Sequence, residues 1–248
     1  MTSANHHETV IILDFGSQYT QLIARRVREA GVYCEILPFS TSSEMIAAKS
    51  PRGVILSGSP ASVYQEGAPK PPASLVETVD CPILGICYGL QVMAFEMGGE
   101  VKPSPSREFG YARLKITDGS SRLFTGLPAE MDVWMSHGDH MTSVPPGFQV
   151  TAVTADALNA FEDASRRIFG VQFHPEVAHT PLGAQVLRNF LFSICECRGD
   201  WSPTAVIEEQ TARIREQLGG VGNVVSGLSG GVDSTVASAL VHRAIGER

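Results

Sequence analysis

The chain has 248 residues, 43% hydrophobic and 18% charged, and this balance excludes disorder, collagen-like repeats and coiled coil as descriptions of the whole sequence. Its formal net charge of −7, with Lys and Arg scattered along the chain, provides no basic surface for a nucleic-acid partner. The five cysteines are odd in number and irregularly spaced, which favours a reducing cytoplasm over a disulfide framework.

The N-terminal residues lack the basic and apolar regions of a signal peptide. The most apolar stretch, residues 82–98, is interrupted by glycine, Gln91 and Glu96 and falls short of the roughly 20 apolar residues that a membrane span needs. We therefore expect a cytoplasmic protein with no membrane partner.

Short apolar runs alternate with helical patterns between Val10 and Met97. A helix is predicted from about Gln18 to Ala30, with Ser17 as its N-cap. Such alternation predicts a parallel sheet covered by helices on both faces, with ligands at the carboxyl ends of its strands. The predicted strands are residues 10–14, 32–37, 53–58 and 82–86.

The next part of the chain predicts strands with almost no helical pattern between them, which indicates an antiparallel extension of the sheet. A helix from about Pro181 to Cys195 closes the unit. The fold class is therefore α/β, a mixed, mainly parallel central sheet with helices on both faces, in a domain of residues 8–200. The strands of the extension are predicted at residues 111–117, 131–136, 148–154 and 166–173.

Residues 201–248 have a different character. A helix with Ser202 as cap and Pro203 in its first turn is predicted to reach Leu218. A turn at 219–223, a strand at 223–228, a glycine-rich loop and a helix ending at Ile245 follow. One strand with two open edges cannot bury both of its faces, so this segment is expected to be part of a second domain that is incomplete in these 248 residues.

A glycine-bracketed cysteine lies between a predicted strand and a predicted helix, in Gly85-Ile86-Cys87-Tyr88-Gly89. Such a turn holds its central side chain at the end of the sheet, and the helix N-terminus favours the thiolate. Cys87 is therefore a candidate nucleophile at an exposed tip. The alternative is a buried cysteine that acts as a small hydrophobic residue.

A histidine and a glutamate follow the last predicted strand, in Phe173-His174-Pro175-Glu176. A thiol nucleophile needs a base and a third group that orients the base, and His174 and Glu176 supply both. A zinc site with His179 is the weaker interpretation, because the two histidines do not share a helical face. A solvated loop is the other alternative.

The segment Leu56-Ser57-Gly58-Ser59-Pro60 follows another predicted strand. A tight turn there aims backbone N–H groups at a nearby carbonyl oxygen. With the N–H of Tyr88, the N–H groups of Gly58 and Ser59 form a candidate oxyanion hole. The alternative is an ordinary turn.

Together these three motifs resemble the class I (triad) glutamine amidotransferases over about Glu8 to Arg198. The resemblance implies that Cys87, His174 and Glu176 form a triad that hydrolyses L-glutamine without a cofactor. It also implies that Gln91, Ser136 and His137 bind glutamine. Ser59 is a departure, because the family often has glycine there, and a positive φ would strain serine.

A second glycine-rich loop precedes the last predicted helix. Small residues there let backbone N–H groups surround a phosphate. The loop resembles the PP-loop of ATP pyrophosphatases, which implies ATP binding, with Asp233 holding Mg²⁺ or capping the helix. A bare glycine turn is the alternative. The residues concerned are Ser229, Gly230, Gly231, Val232, Asp233, Ser234 and Thr235.

An amidotransferase followed by a PP-loop resembles the domain order of the glutamine-hydrolysing GMP synthetases. That family implies ATP, XMP and Mg²⁺ at the second domain and a homodimer formed by a C-terminal domain that these residues lack. The amidotransferase of another synthetase and a non-catalytic glutamine- or nucleotide-binding regulatory module remain alternatives. His137 and His140 lack a matching set of ligands, so no protein metal site is predicted.

Overall fold

A computed structural model describes residues 8–155, 157–219 and 223–246, without the side chains of 104–108 and 209. The chain divides into two compact units, one up to Gly199 and one from Asp200 onward. The predicted turn at 219–223 lies mostly outside the described residues.

The first unit is built on a mixed sheet. In the described residues the strand order is β2-β1-β3-β4-β9-β8-β6-β5-β7, and β7 also pairs with β8. The parallel strands are β1 (Thr9–Asp14), β2 (Tyr33–Pro38), β3 (Gly53–Leu56), β4 (Ile83–Ile86) and β9 (Ile168–Val171). The antiparallel strands are β5 (Glu100–Ile116), β6 (Glu130–Ser143), β7 (Gln149–Val153) and β8 (Leu158–Asp163).

Helices cover both faces of the parallel part. Alternation along β1 sends Val10 and Ile12 into one core and Ile11 and Leu13 into the other, as expected for a strand buried on both sides. The predicted mixed sheet with helices on both faces is confirmed. The helices are α1 (Thr20–Glu29), α2 (Ser43–Ala47), α3 (Leu75–Thr78), α4 (Tyr88–Glu96) and α5 (Gly183–Arg188).

Two helix predictions need correction in this unit. The first helix begins at Thr20 after Tyr19, and Ser17 does not cap it; the Ser17 hydroxyl instead accepts from the Tyr19 N–H, at 3.0 Å, in the turn before the helix. The predicted helix 181–195 begins only at Gly183. Beyond Arg188 it continues as a π-helical segment, Asn189–Ile194. Sequence periodicity also missed β8.

The second unit contains two helices, α6 (Pro203–Leu218) and α7 (Val232–Ile245). The predicted cap is present, because the Ser202 hydroxyl accepts from the Ala205 N–H at 3.2 Å. The predicted strand at 223–228 is wrong: these residues have no regular structure, and Val225 is 98% exposed. A strand needs a partner for its backbone groups, and the described residues of this unit offer none.

The five cysteines all lie in the described residues, where they are buried and form no disulfide bond. Within the described ranges, no helix has the length and apolarity needed to cross a membrane.

Candidate active site

A strained turn between β4 and α4 positions Cys87. Its backbone has φ 55° and ψ −108°, which is unusual for a residue with a side chain. Both bracketing glycines are sterically required. A Cβ on Gly85 would lie 2.6 Å from the backbone of Gly89, and one on Gly89 would lie 2.3 Å from the Leu56 carbonyl oxygen. The sequence therefore predicted this turn for the correct physical reason.

Cys87 is not the exposed tip that the motif suggested. The residue is only 4% exposed, and it lies in the wall of a cavity of about 720 Å³. This cavity opens where β1, β3, β4 and β9 end, which is the predicted edge of the sheet. The prediction failed because residues that follow β1 and β3, together with residues 136–139 within β6, line the cavity around the turn.

His174 and Glu176 adopt the predicted arrangement. His174 Nδ1 lies 2.8 Å from Glu176 Oε1, and both side chains are almost fully buried. A carboxylate only accepts, so Nδ1 carries the proton, and Cys87, which lines the same cavity, is the other ionisable group that acts on the imidazole. The structure therefore brings Cys87, His174 and Glu176 together in one line of interacting side chains.

The charges of this line are coupled. Burial by itself lowers the pKa of His174, but the adjacent Cys87 thiolate and the Glu176 carboxylate outweigh burial and raise it well above its usual value. An imidazole that holds its proton more tightly than usual can give that proton to a leaving group, which is the acid step that a cysteine nucleophile requires of its partner.

The backbone around His174 is held from several directions. Its N–H donates to the Trp134 carbonyl at 3.1 Å, and its carbonyl accepts from the Thr180 hydroxyl at 2.7 Å. The Arg26 Nε donates to the Glu176 carbonyl at 2.9 Å. The Tyr19 ring meets the imidazole edge-on, with centroids 4.9 Å apart. Motif spacing could not reveal these supports, since most come from distant parts of the chain.

The turn at Gly58 and Ser59 lies against the histidine. A Cβ on Gly58 would lie 3.6 Å from His174 Cε1, so the turn packs close to the imidazole. The Ser57 hydroxyl fixes this turn by accepting from the Phe15 N–H at 3.1 Å and donating to the Gly58 carbonyl at 3.2 Å. Ser59 does not have a positive φ, so the strain considered for serine does not arise. The oxyanion role of these N–H groups and of Tyr88, the first residue of α4, stays a prediction.

Gln91, Ser136 and His137 also line the cavity. The Gln91 side-chain nitrogen donates to the Asp139 carbonyl at 2.7 Å, and His137 Nδ1 contacts the same carbonyl at 2.9 Å. Burial lowers the pKa of His137 to about 4, so this ring is neutral at pH 7. Their predicted contacts with glutamine remain untested.

The suggested zinc ligands do not converge. His179 stacks on Trp134, with ring centroids 4.4 Å apart, while His174 and Glu176 bind each other. Among the residues whose positions are described, no three His, Cys, Asp or Glu side chains form a group suited to a metal ion.

In the second unit the glycine-rich loop leads directly into α7. The Ser229 and Ser234 hydroxyls lie 2.9 Å apart, and the Thr235 hydroxyl donates to the Gly231 carbonyl at 2.8 Å. Asp233 lies in the first turn but does not cap the helix, because Gly231 is the N-cap residue and no side chain caps it. The loop is exposed to solvent.

Comparison with known proteins defines the class. The model of the family described as glutamine amidotransferase class-I matches residues 11–194, and the NAD synthase family model matches residues 206–248. The first match covers well over half of the chain. The chain therefore belongs to the class I glutamine amidotransferase family.

Curated proteins with similar sequences carry a more specific name than the family. The chain is 53% identical over 242 residues to a protein of Syntrophomonas wolfei named GMP synthase [glutamine-hydrolyzing], with 97% of this chain and 47% of the relative covered. A Thermomicrobium roseum protein of the same name is 50% identical over 254 residues, with 100% and 47% covered. The chain thus spans about half the length of these curated relatives.

A solved structure supports the same fold. It is a Thermoplasma acidophilum protein described as one of the subunits of a GMP synthase; it is 31% identical, with a TM-score of 0.67. The alignment covers 77% of this chain and 96% of that protein.

Proposed function

We propose that residues 8–200 hydrolyse L-glutamine to glutamate and ammonia, with Cys87 as nucleophile, His174 as acid and base, and Glu176 as the group that orients His174. The observation that carries this proposal is the buried Cys87–His174–Glu176 line at the wall of a cavity large enough for an amino acid. Membership of the amidotransferase family supports the same chemistry.

The chemistry follows from the positions of the groups. The Cys87 thiolate attacks the carbon of the glutamine side-chain amide, and backbone N–H groups of Gly58, Ser59 and Tyr88 stabilise the oxygen that becomes negative. His174 then gives its proton to the departing nitrogen, so ammonia leaves and a thioester remains on Cys87. Water, deprotonated by His174, attacks the thioester and releases glutamate.

The direct test is glutamate release from glutamine by the wild-type chain and by Cys87→Ala. Loss of the nucleophile should reduce the rate by at least about a thousandfold. Cys81→Ala is the matched control, since burial raises the pKa of Cys81 to about 12 and this thiol stays neutral. Glutamate release that persists in Cys87→Ala, or a wild-type chain that releases none at saturating glutamine, would refute the proposal.

Residues 201–248 are, in this proposal, the beginning of a PP-loop domain that binds ATP. The N-terminus of α7 offers backbone N–H groups to phosphate oxygens, and Ser229, Ser234 and Thr235 supply hydroxyls. Asp233 is a carboxylate in the first turn, and one carboxylate together with phosphate oxygens suits Mg²⁺. The exposed loop lacks surrounding walls within the described residues, so we expect weak ATP binding. Calorimetry that finds micromolar affinity would contradict that expectation.

The names of the relatives support a role for the whole protein. We infer that the ammonia released at Cys87 serves the ATP-dependent amination of XMP to GMP, in a homodimer formed through a further domain. In a protein that joins this chain to a complete PP-loop domain, Cys87→Ala should abolish GMP formation from glutamine and retain it with ammonium. If Cys87→Ala forms no GMP with either glutamine or ammonium, the proposal that Cys87 only supplies ammonia to a second site is wrong.

A further inference from the structure

Gln172 places a side-chain amide against the sulfur of Cys87. It follows β9 directly and is completely buried. Its Nε2 lies 3.7 Å from Cys87 Sγ, within hydrogen-bonding distance for sulfur, and its backbone N–H donates to the Asn159 carbonyl at 2.8 Å. None of the sequence motifs singled out this residue. It lies two positions before His174, in the bend that follows β9, and both residues act on Cys87.

The orientation of the Gln172 amide is fixed by its neighbours. The Gln91 nitrogen donates to the Asp139 carbonyl at 2.7 Å, and a carbonyl can only accept. The same Gln91 nitrogen lies 3.1 Å from Gln172 Oε1. Since that oxygen faces a donor, the Gln172 nitrogen must face the sulfur. The opposite assignment would bring two NH₂ groups together.

The sulfur therefore has two kinds of polar neighbour besides the imidazole. The Ser136 carbonyl oxygen lies 3.7 Å away and can only accept, so it favours the neutral thiol. The Gln172 amide can only donate through the nitrogen that faces the sulfur, so it favours the thiolate. A hydrogen bond to an ionised group is worth roughly twice a neutral one, and more where water is scarce.

We propose that Gln172 is a further catalytic residue, whose amide N–H stabilises the Cys87 thiolate and directs it toward the cavity, and that Gln91 positions this amide. The catalytic role of Gln172 rests on the proposed function. The effect of Gln172 on the ionisation of Cys87 does not depend on whether glutamine is the substrate.

The test is the pH dependence of Cys87 alkylation by iodoacetamide, followed by mass spectrometry of the Cys87 peptide. Gln172→Met removes the donor and keeps the length of the side chain. The pH of half-maximal alkylation should rise by about one unit, so the rate well below that pH falls about tenfold, while the plateau at high pH is kept. Gln91→Met should produce a smaller rise. Gln185→Met, a surface change, should produce none.

Several outcomes separate the possibilities. An unchanged midpoint with a lower plateau would show that Gln172 only packs around the sulfur and would overturn the inference. If Gln172→Met does not fold, as judged by circular dichroism, Gln91→Met decides, and an unchanged midpoint there refutes the positioning role. Absence of glutamate release in the wild-type chain would refute the proposed function alone, because the alkylation profile does not use glutamine.

Discussion

Two glycine-bracketed junctions in this chain lead into helices, and they differ in almost every physical respect. Gly85–Gly89 joins β4, a strand paired on both sides, to α4, and its backbone lies against Leu56 and the first turn of α4. Gly227–Gly231 follows a segment with no regular structure, and its nearest clash candidate is a serine hydroxyl of the same loop. A glycine motif therefore adopts one fixed backbone conformation only where neighbouring strands and helices pack against it.

The largest expected difference between the junctions is steric. Gly89→Ala places a Cβ 2.3 Å from the Leu56 carbonyl oxygen, which cannot move without disturbing β3, so the free energy of unfolding should fall by about 3 kcal/mol or more. Gly231→Ala meets its nearest atom at 3.5 Å and should cost about 0.5 kcal/mol as a poorer N-cap. Denaturant unfolding measures both. Equal losses would contradict the contrast.

An intermediate effect is expected on the pKa of His174, which lies beside the first junction. In Cys87→Ala the thiolate that raises the pKa of His174 is absent, so burial should dominate and the pKa should fall. Nuclear magnetic resonance of the imidazole nitrogens reports this directly. Cys34→Ala removes a buried thiol elsewhere and should leave the His174 titration in place.

The same shift has a consequence for stability. A raised pKa means that the folded state binds the proton more tightly than the unfolded chain. The proton on His174 therefore stabilises the folded state fully below about pH 6.5, the pKa of histidine in the unfolded chain. This stabilisation is lost as the pH rises through the pKa of His174 in the folded state. Cys87→Ala should flatten this decline. A variant that keeps the wild-type slope would show that the coupling between Cys87 and His174 is weak.

A smaller effect tests backbone strain. Because φ at Cys87 is 55° with ψ −108°, Cys87→Gly should be more stable than Cys87→Ala by about 1 kcal/mol. At Val236, an exposed position inside α7, the order should reverse by a similar amount, since glycine is a poor helix former. Thermal unfolding of the four variants compares the two junctions. The same order at both positions would argue against strain at Cys87.

Sequence reasoning succeeded where one local cause decides the outcome. Hydrophobic runs predicted the parallel strands, the Ser202 cap predicted the start of α6, and the glycine bracket predicted the turn at Cys87. It failed where the cause is distant. The burial of Cys87 depends on residues of β6 and of the loops after β1 and β3. The segment 223–228 lacks a partner strand, and the contact of Gln172 with the sulfur requires β4 and β9 to be neighbours.

Hydrolysis of glutamine by Cys87 requires a covalent bond between its sulfur and the glutamyl group, and this bond can be measured. Mixing the chain with glutamine, quenching rapidly with acid and analysing the Cys87 peptide by mass spectrometry should reveal a glutamyl thioester on that residue. The adduct should be absent in Cys87→Ala and should disappear in the wild type as glutamate accumulates. Glutamate formation without any adduct on Cys87, or with an adduct on another residue, would contradict the account.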